Sequence, residues 1–172
     1  IYFICSVLLF NCINPFITLW VGEDFLMGIP VVMVLVLNFY TTGMISPLTS
    51  FRTANGLFMQ GRYRPIIMAI INIIVSIILV KWIGIIGVFL GTVIARVSTQ
   101  LWYDPWLIYK KVFHKSPKAY FAKYIVYLLI TVLGCAIVYG MGQLVSIENL
   151  ILVLLWNIVL SIIIVTFIIV LL

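Results

Sequence analysis

"IIMAIINIIVSIILV", residues Ile66 to Val80, carries no charge and interrupts its aliphatic run with two polar side chains, Asn72 and Ser76, set one helical turn apart. At about 1.5 Å per residue, a helix of this length nearly crosses a hydrocarbon core of about 30 Å. Two longer runs, Tyr124–Met141 and Leu150–Leu172, repeat the pattern, and short polar segments separate them. A soluble domain of 172 residues could not bury a composition that is 66% hydrophobic and 8% charged, so the solvent for much of the surface is lipid. A transmembrane barrel would alternate apolar and polar residues in segments of about ten, which these uninterrupted runs do not do. The expected fold is therefore all-α: a polytopic membrane protein.

Marking runs and breakers outward from this stretch gives spans at about 1–21, 27–50, 65–82, 84–103, 121–142 and 149–172, read together as one bundle of six transmembrane helices over residues 1–172. Arg52 to Pro65, RTANGLFMQGRYRP, reads as a loop because Arg, Gly, Asn and Pro crowd it. Asp104 to Lys118, DPWLIYKKVFHKSPK, reads as a connection holding a short interfacial helix, with Tyr109, Val112 and Phe113 beside Lys110, Lys111 and Lys115. The chain starts at Ile1 without a basic n-region, which argues against a signal peptide, and both ends lie in apolar runs as in a piece of something larger.

Of the ten basic residues, Arg52, Arg62 and Arg64 fall in or beside the second connection, and Lys110, Lys111, Lys115, Lys118 and Lys123 fall in or beside the fourth. The first holds Glu23 and Asp24, the third Lys81, the fifth Glu148. This alternation is the positive-inside pattern, with the second and fourth connections cytoplasmic. It explains the net positive charge as a topology signal, and no nucleic-acid partner is expected. Trp20, Trp82, Trp102, Trp106 and Tyr103 lie near span ends, at headgroup depth. Cys5, Cys12 and Cys135 lie in apolar runs without metal-ligand spacing, so no disulfide framework, metal site or cofactor is expected.

One residue resists this scheme. Arg96 lies about 18 Å along the fourth span from Gly84 and about 11 Å from Tyr103. Burial near mid-membrane costs at least about 2.5 kcal/mol, so the guanidinium needs water, an anion or a partner, unless its long side chain snorkels to the headgroups. Thr92, Arg96, Thr99, Gln100 and Tyr103 share one face of that helix. Gly87, Gly91 and Ala95 form a small-residue ridge beside it, and Leu90, Ile94, Val97 and Leu101 make an aliphatic side. Asn38, Thr42, Ser46 and Thr49 line the second span, Asn72 and Ser76 the third, and Asn11, Asn14 and Thr18 the first. For any single Asn, Ser or Thr of these stripes, interhelical hydrogen bonding is the first explanation and ligand binding the second. As a cavity lining they would put the first four helices around a hydrated space with the last hairpin outside it. Asn14-Pro15, Pro30 and Pro47 predict kinks. An intramembrane cation without a carboxylate in any span favours an anionic ligand, and a phosphate or pyrophosphate suits its planar fork.

The stretch from Arg52 to Val97, with Leu101 to Phe113, resembles bacterial polysaccharide flippases of the O-antigen and capsule type, in the multidrug/oligosaccharidyl-lipid/polysaccharide exporter superfamily. The resemblance is carried by Gly56–Leu57–Phe58 leading to Gly61–Arg62–Tyr63, the Asn72 and Ser76 pair, the Gly84–Ile85–Ile86–Gly87 turn and Gly91–Thr92, with Phe16–Gly22 (FITLWVG) upstream. It covers roughly residues 16–113, and the final hairpin matches in hydropathy alone. It implies a transporter of two six-helix bundles, of which this chain is the C-terminal one, in the bacterial cytoplasmic membrane. The implied cargo is a polyprenyl-pyrophosphate-linked oligosaccharide, flipped by alternating access for cell-surface polysaccharide biosynthesis, with membrane lipids, a polysaccharide polymerase and glycosyltransferases as partners. Arg96, and then Arg52 at the cytoplasmic mouth, would hold the pyrophosphate or acidic sugars. With the polar stripes, this makes Arg96, Arg52, Asn38, Asn72, Thr92 and Gln100 the candidate substrate-binding residues. A cation-coupled multidrug exporter of the same superfamily, or an integral-membrane polymerase, ligase or acyltransferase, are the alternatives. The first would use intramembrane carboxylates, and the second needs a positioned acid, base or metal. His114 amid lysines and Asp104 before a proline read as structural residues, so no catalytic residue is expected.

Overall fold

The computed structural model describes residues 1–143 and 149–171. Its helices are α1 (Tyr2–Trp20), α2 (Ile29–Ala54), α3 (Arg64–Ile83), α4 (Ile85–Arg96), α5 (Tyr103–Ile108), α6 (Lys118–Gln143) and α7 (Leu150–Leu171). Six helical runs are long and apolar enough to cross a membrane, and no strand occurs among the described residues. The protein is an all-α, multi-pass membrane protein. Glu148 of the fifth connection and Leu172 lie outside the described residues.

Two boundaries differ from the sequence reading, both for a backbone reason. The fourth span does not stop at Tyr103. Helical backbone runs from Ile85 to Phe113, through a π-helical turn at Val97–Leu101, α5, and a second π-helical turn at Tyr109–Phe113. The expected separate interfacial helix is the end of this run. Pro105 is tolerated because the helix restarts at Tyr103, placing the proline in a first turn where its missing N–H is not needed. The run ends at His114, which adopts a left-handed conformation at φ 50°, while the Lys115 amide donates to Tyr109 O at 3.0 Å. The second difference lies in α2, which continues to Ala54 and so carries Arg52 on a helix rather than in a loop.

The chain divides into two compact units. One comprises Ile1–Val36 with the described part of Tyr124–Leu172, and the other comprises Leu37–Lys123. The expected grouping of the first four spans against the last two is thus not the grouping found: α1 packs along α7. The first unit's core is Val7, Val138, Leu160 and Val165, with Phe3, Ile4, Cys135 and Ile164 against it. Pro15 cannot donate to the carbonyl four residues earlier, and Asn157 of α7 fills the gap by donating its Nδ2 to Asn11 O at 3.3 Å.

In the second unit, α3 and α4 form a hairpin that turns on Gly84, whose φ of 63° and ψ of −141° a side chain would strain. The expected Gly84–Gly87 turn and small-residue ridge are both present. Gly87, Gly91 and Ala95 are buried, and a methyl group at Gly87 or Gly91 would overlap the Leu79 backbone or Ser76 Oγ respectively. The outer face of α3, including Ile66, Ile70, Ile73 and Ile77, is exposed, as lipid-facing surface requires.

Candidate functional site

Arg96 sits at the last residue of α4, and its side chain turns sideways rather than toward a membrane surface. Nη1 donates to Thr42 Oγ1 at 2.7 Å and Asn38 O at 3.0 Å, and lies 3.3 Å from both Asn38 Oδ1 and Thr41 Oγ1. Asn38 is about 14 Å along α2 from Ile29, comparable in depth to Arg96 on α4. The guanidinium therefore meets its partners inside the apolar layer, and the snorkelling alternative does not describe it.

Each acceptor is prepared by a bond of its own. Asn38 Nδ2 donates to Phe89 O at 2.9 Å, crossing from α2 to α4 and leaving Oδ1 to receive Arg96. Thr41 and Thr42 donate their hydroxyl protons to the Leu37 and Asn38 carbonyls at 2.8 and 2.6 Å, so their lone pairs are free to accept. All these partners are neutral. Among the described residues no carboxylate lies within ion-pair distance of Arg96, and its Nη2 and Nε have no hydrogen-bond partner.

Arg96 also lines a cleft of about 350 Å³ with Gln100, Thr42, Ser46, Thr49, Ser50, Ile45 and Met68. This volume lies in the range of small-ligand sites. The wall joins one cation to hydroxyls and an amide, an arrangement that can bind an anion through charge-assisted bonds and its polar substituents through neutral ones. Gln100 reaches it from the π-helical turn that follows Arg96; such turns recur at functional sites.

The remaining candidates lie elsewhere in the same unit. Asn72 and Thr92 belong to the α3–α4 seam: Asn72 Nδ2 is 3.5 Å from Thr92 Oγ1, and Ser76 Oγ donates to Asn72 Oδ1 at 2.9 Å. Here the interhelical hydrogen-bonding explanation of the stripe holds. Arg52 lies at a buried ion cluster. Arg64 Nη1 donates to Asp104 Oδ1, Arg52 Nε stands 3.7 Å from the same oxygen, and Thr49 Oγ1 is 3.5 Å from Oδ2. Asp104 has no exposed surface. Gly61 makes room for this arrangement, since a methyl group there would overlap Arg52 Nη1.

Sequence reading missed Thr41 as part of the Arg96 cradle and missed the Arg64–Asp104 pair. The available signal for the pair was depth, because both residues flank span ends on the basic side. No family model, curated protein or solved structure matches the chain.

Proposed function

We propose that the protein is a flippase that carries polyprenyl-pyrophosphate-linked oligosaccharides across the bacterial cytoplasmic membrane, with Arg96 as the deep anion-binding group. One observation carries this reading: an intramembrane guanidinium with no carboxylate partner among the described residues, anchored through Nη1 and with Nη2 and Nε unpaired, on the wall of a hydroxyl-lined cleft. Anchoring one nitrogen on neutral dipoles fixes the fork in place without cancelling its charge. The cargo's pyrophosphate pairs with that charge, and Gln100, Ser46 and Ser50 supply neutral hydrogen bonds to the attached sugar. Asn38 is a positioning residue, Arg52 stands behind the ion cluster on the basic side, and Asn72 and Thr92 act through the α3–α4 seam.

A multidrug exporter that binds cations needs an available carboxylate. Asp104, a buried one here, is held by Arg64 with Arg52 close by, which favours the anionic cargo. The test is reconstitution into vesicles with a labelled lipid-linked oligosaccharide in one leaflet. Appearance of unaltered cargo in the other leaflet supports the flippase. A covalently altered product points to a membrane enzyme, and cargo that stays in its leaflet removes transport.

A further inference from the structure

The Asp104 cluster is unbalanced. One carboxylate faces two guanidiniums, which leaves an excess positive charge at a buried position. Arg64 Nε, Arg52 Nε and Arg52 Nη1 are all buried without a hydrogen-bond partner among the described residues. Buried donors of this kind are costly to leave unmade, and charged ones more so. The cluster thus holds more buried donors than acceptors, and of its two guanidiniums Arg64 is the one that lines a cleft.

Arg64, whose side chain is 9% exposed, lines a cleft of about 240 Å³ at the start of α3 with Gln60, Tyr63, Ile67, Trp102 and Tyr103. The wall is built: Tyr103 Oη donates to Gln60 O at 2.5 Å, and Trp102 Nε1 donates to Ser98 O at 2.7 Å. Arg62 places a second cation beside a wall residue, its guanidinium carbon 4.5 Å from the centre of the Tyr63 ring. The N-terminus of α3 has no side-chain cap, so its partial positive charge adds to the same region. Tyr63, Ile67 and Trp102 are each about half exposed. Ile67 continues onto the open aliphatic face of α3, which gives an acyl chain a path away from the cleft.

We propose that this cleft binds the phosphate of an anionic lipid headgroup, with Arg64 as the buried ligand, Arg62 as the second cation and Trp102 against the glycerol and upper acyl region. A basic pocket with aromatic walls at a span end on the positive side suits such a headgroup. The site is separate from the Arg96 cleft and does not depend on the proposed cargo.

The experiment compares the protein in nanodiscs of phosphatidylcholine alone and of phosphatidylcholine with phosphatidylglycerol. The anionic lipid should raise the unfolding temperature by a few degrees, as binding to the folded state requires. Arg64→Gln should lose that rise, whereas Arg96→Gln should keep it. Brominated lipids give a readout independent of any Arg64 variant. Brominated phosphatidylglycerol should quench the fluorescence component that disappears in Trp102→Phe more strongly than brominated phosphatidylcholine does. Equal quenching by the two lipids, or an equal temperature rise in wild type and Arg64→Gln, overturns the proposal. If inorganic phosphate over a phosphatidylcholine bilayer reproduces the rise and abolishes the brominated-lipid preference, the site takes a free anion and the lipid assignment fails.

Discussion

Arg96 and Arg64 are guanidiniums of the same unit, and their charges are met in opposite ways. Arg64 donates to a fully buried carboxylate that Arg52 also approaches, so a charge partner is present, though one carboxylate is shared between two guanidiniums. Arg96 is met by a carbonyl, an amide oxygen and two hydroxyls of α2, dipoles that hold one nitrogen while leaving its charge uncancelled. The first arrangement ties the end of α2, the start of α3 and the start of α5 together; the second holds its cation without any carboxylate among the described residues. A residue type in an apolar layer therefore says little about role until its compensation is known.

The largest effect should come from removing the shared carboxylate. Asp104→Asn leaves two buried guanidiniums unpaired and should destabilise the protein by about 3–5 kcal/mol, read by thermal unfolding in detergent. An unchanged unfolding temperature would mean that the cluster is not what holds these helix ends. Arg96→Ala should do the reverse, preserving insertion and folding while translocation of the lipid-linked cargo falls by about 10- to 100-fold, the value of one charge-assisted contact. Arg96→Lys should recover part of that loss, because it restores charge without the fork. Full transport by the alanine variant would remove Arg96 from the mechanism.

Smaller effects bear on the scaffold around the two sites. Gly91→Ala forces a methyl group onto Ser76 and should cost about 1–3 kcal/mol through the α3–α4 seam. If that variant unfolds like wild type, the close approach of these helices is not needed to present Arg96. Asn157→Leu removes the bond that serves the carbonyl freed by Pro15, at a cost of about 0.6–1.7 kcal/mol. As a change in the other unit, it should leave cargo binding unaltered, and loss of binding would show coupling that the Arg96 cradle alone does not explain.

The spans were legible because a continuous aliphatic run such as Ile66–Val80 has few alternatives to a membrane helix. The Gly84 turn and the Gly87, Gly91 and Ala95 ridge were legible because backbone strain and close approach both demand small residues at fixed spacing. The partner of α1 was not legible, since the aliphatic residues that face lipid and those that pack on α7 are chemically alike. The passage through Pro105 was hidden because proline reads as a breaker, and its place in a restarted first turn depends on a π-helical turn that leaves no compositional trace. Of the candidate site, the periodicity of α4 gave Arg96 and Gln100, and that of α2 gave Asn38 and Thr42. It could not tell these from Asn72 and Thr92, because a polar group that glues helices and one that lines a cleft occupy the same kind of stripe. Arg64 and Asp104 stand 40 residues apart, a separation that no local pattern spans.

The most direct measurement is equilibrium binding of a short-chain polyprenyl pyrophosphate to the purified protein and to Arg96→Gln, beside the matching polyprenol without phosphate. Wild type should bind the pyrophosphate at least about tenfold more tightly than the polyprenol, and the glutamine variant should lose most of that preference. Equal affinity of wild type and Arg96→Gln for the pyrophosphate would contradict the assignment of the deep guanidinium as an anion-binding group.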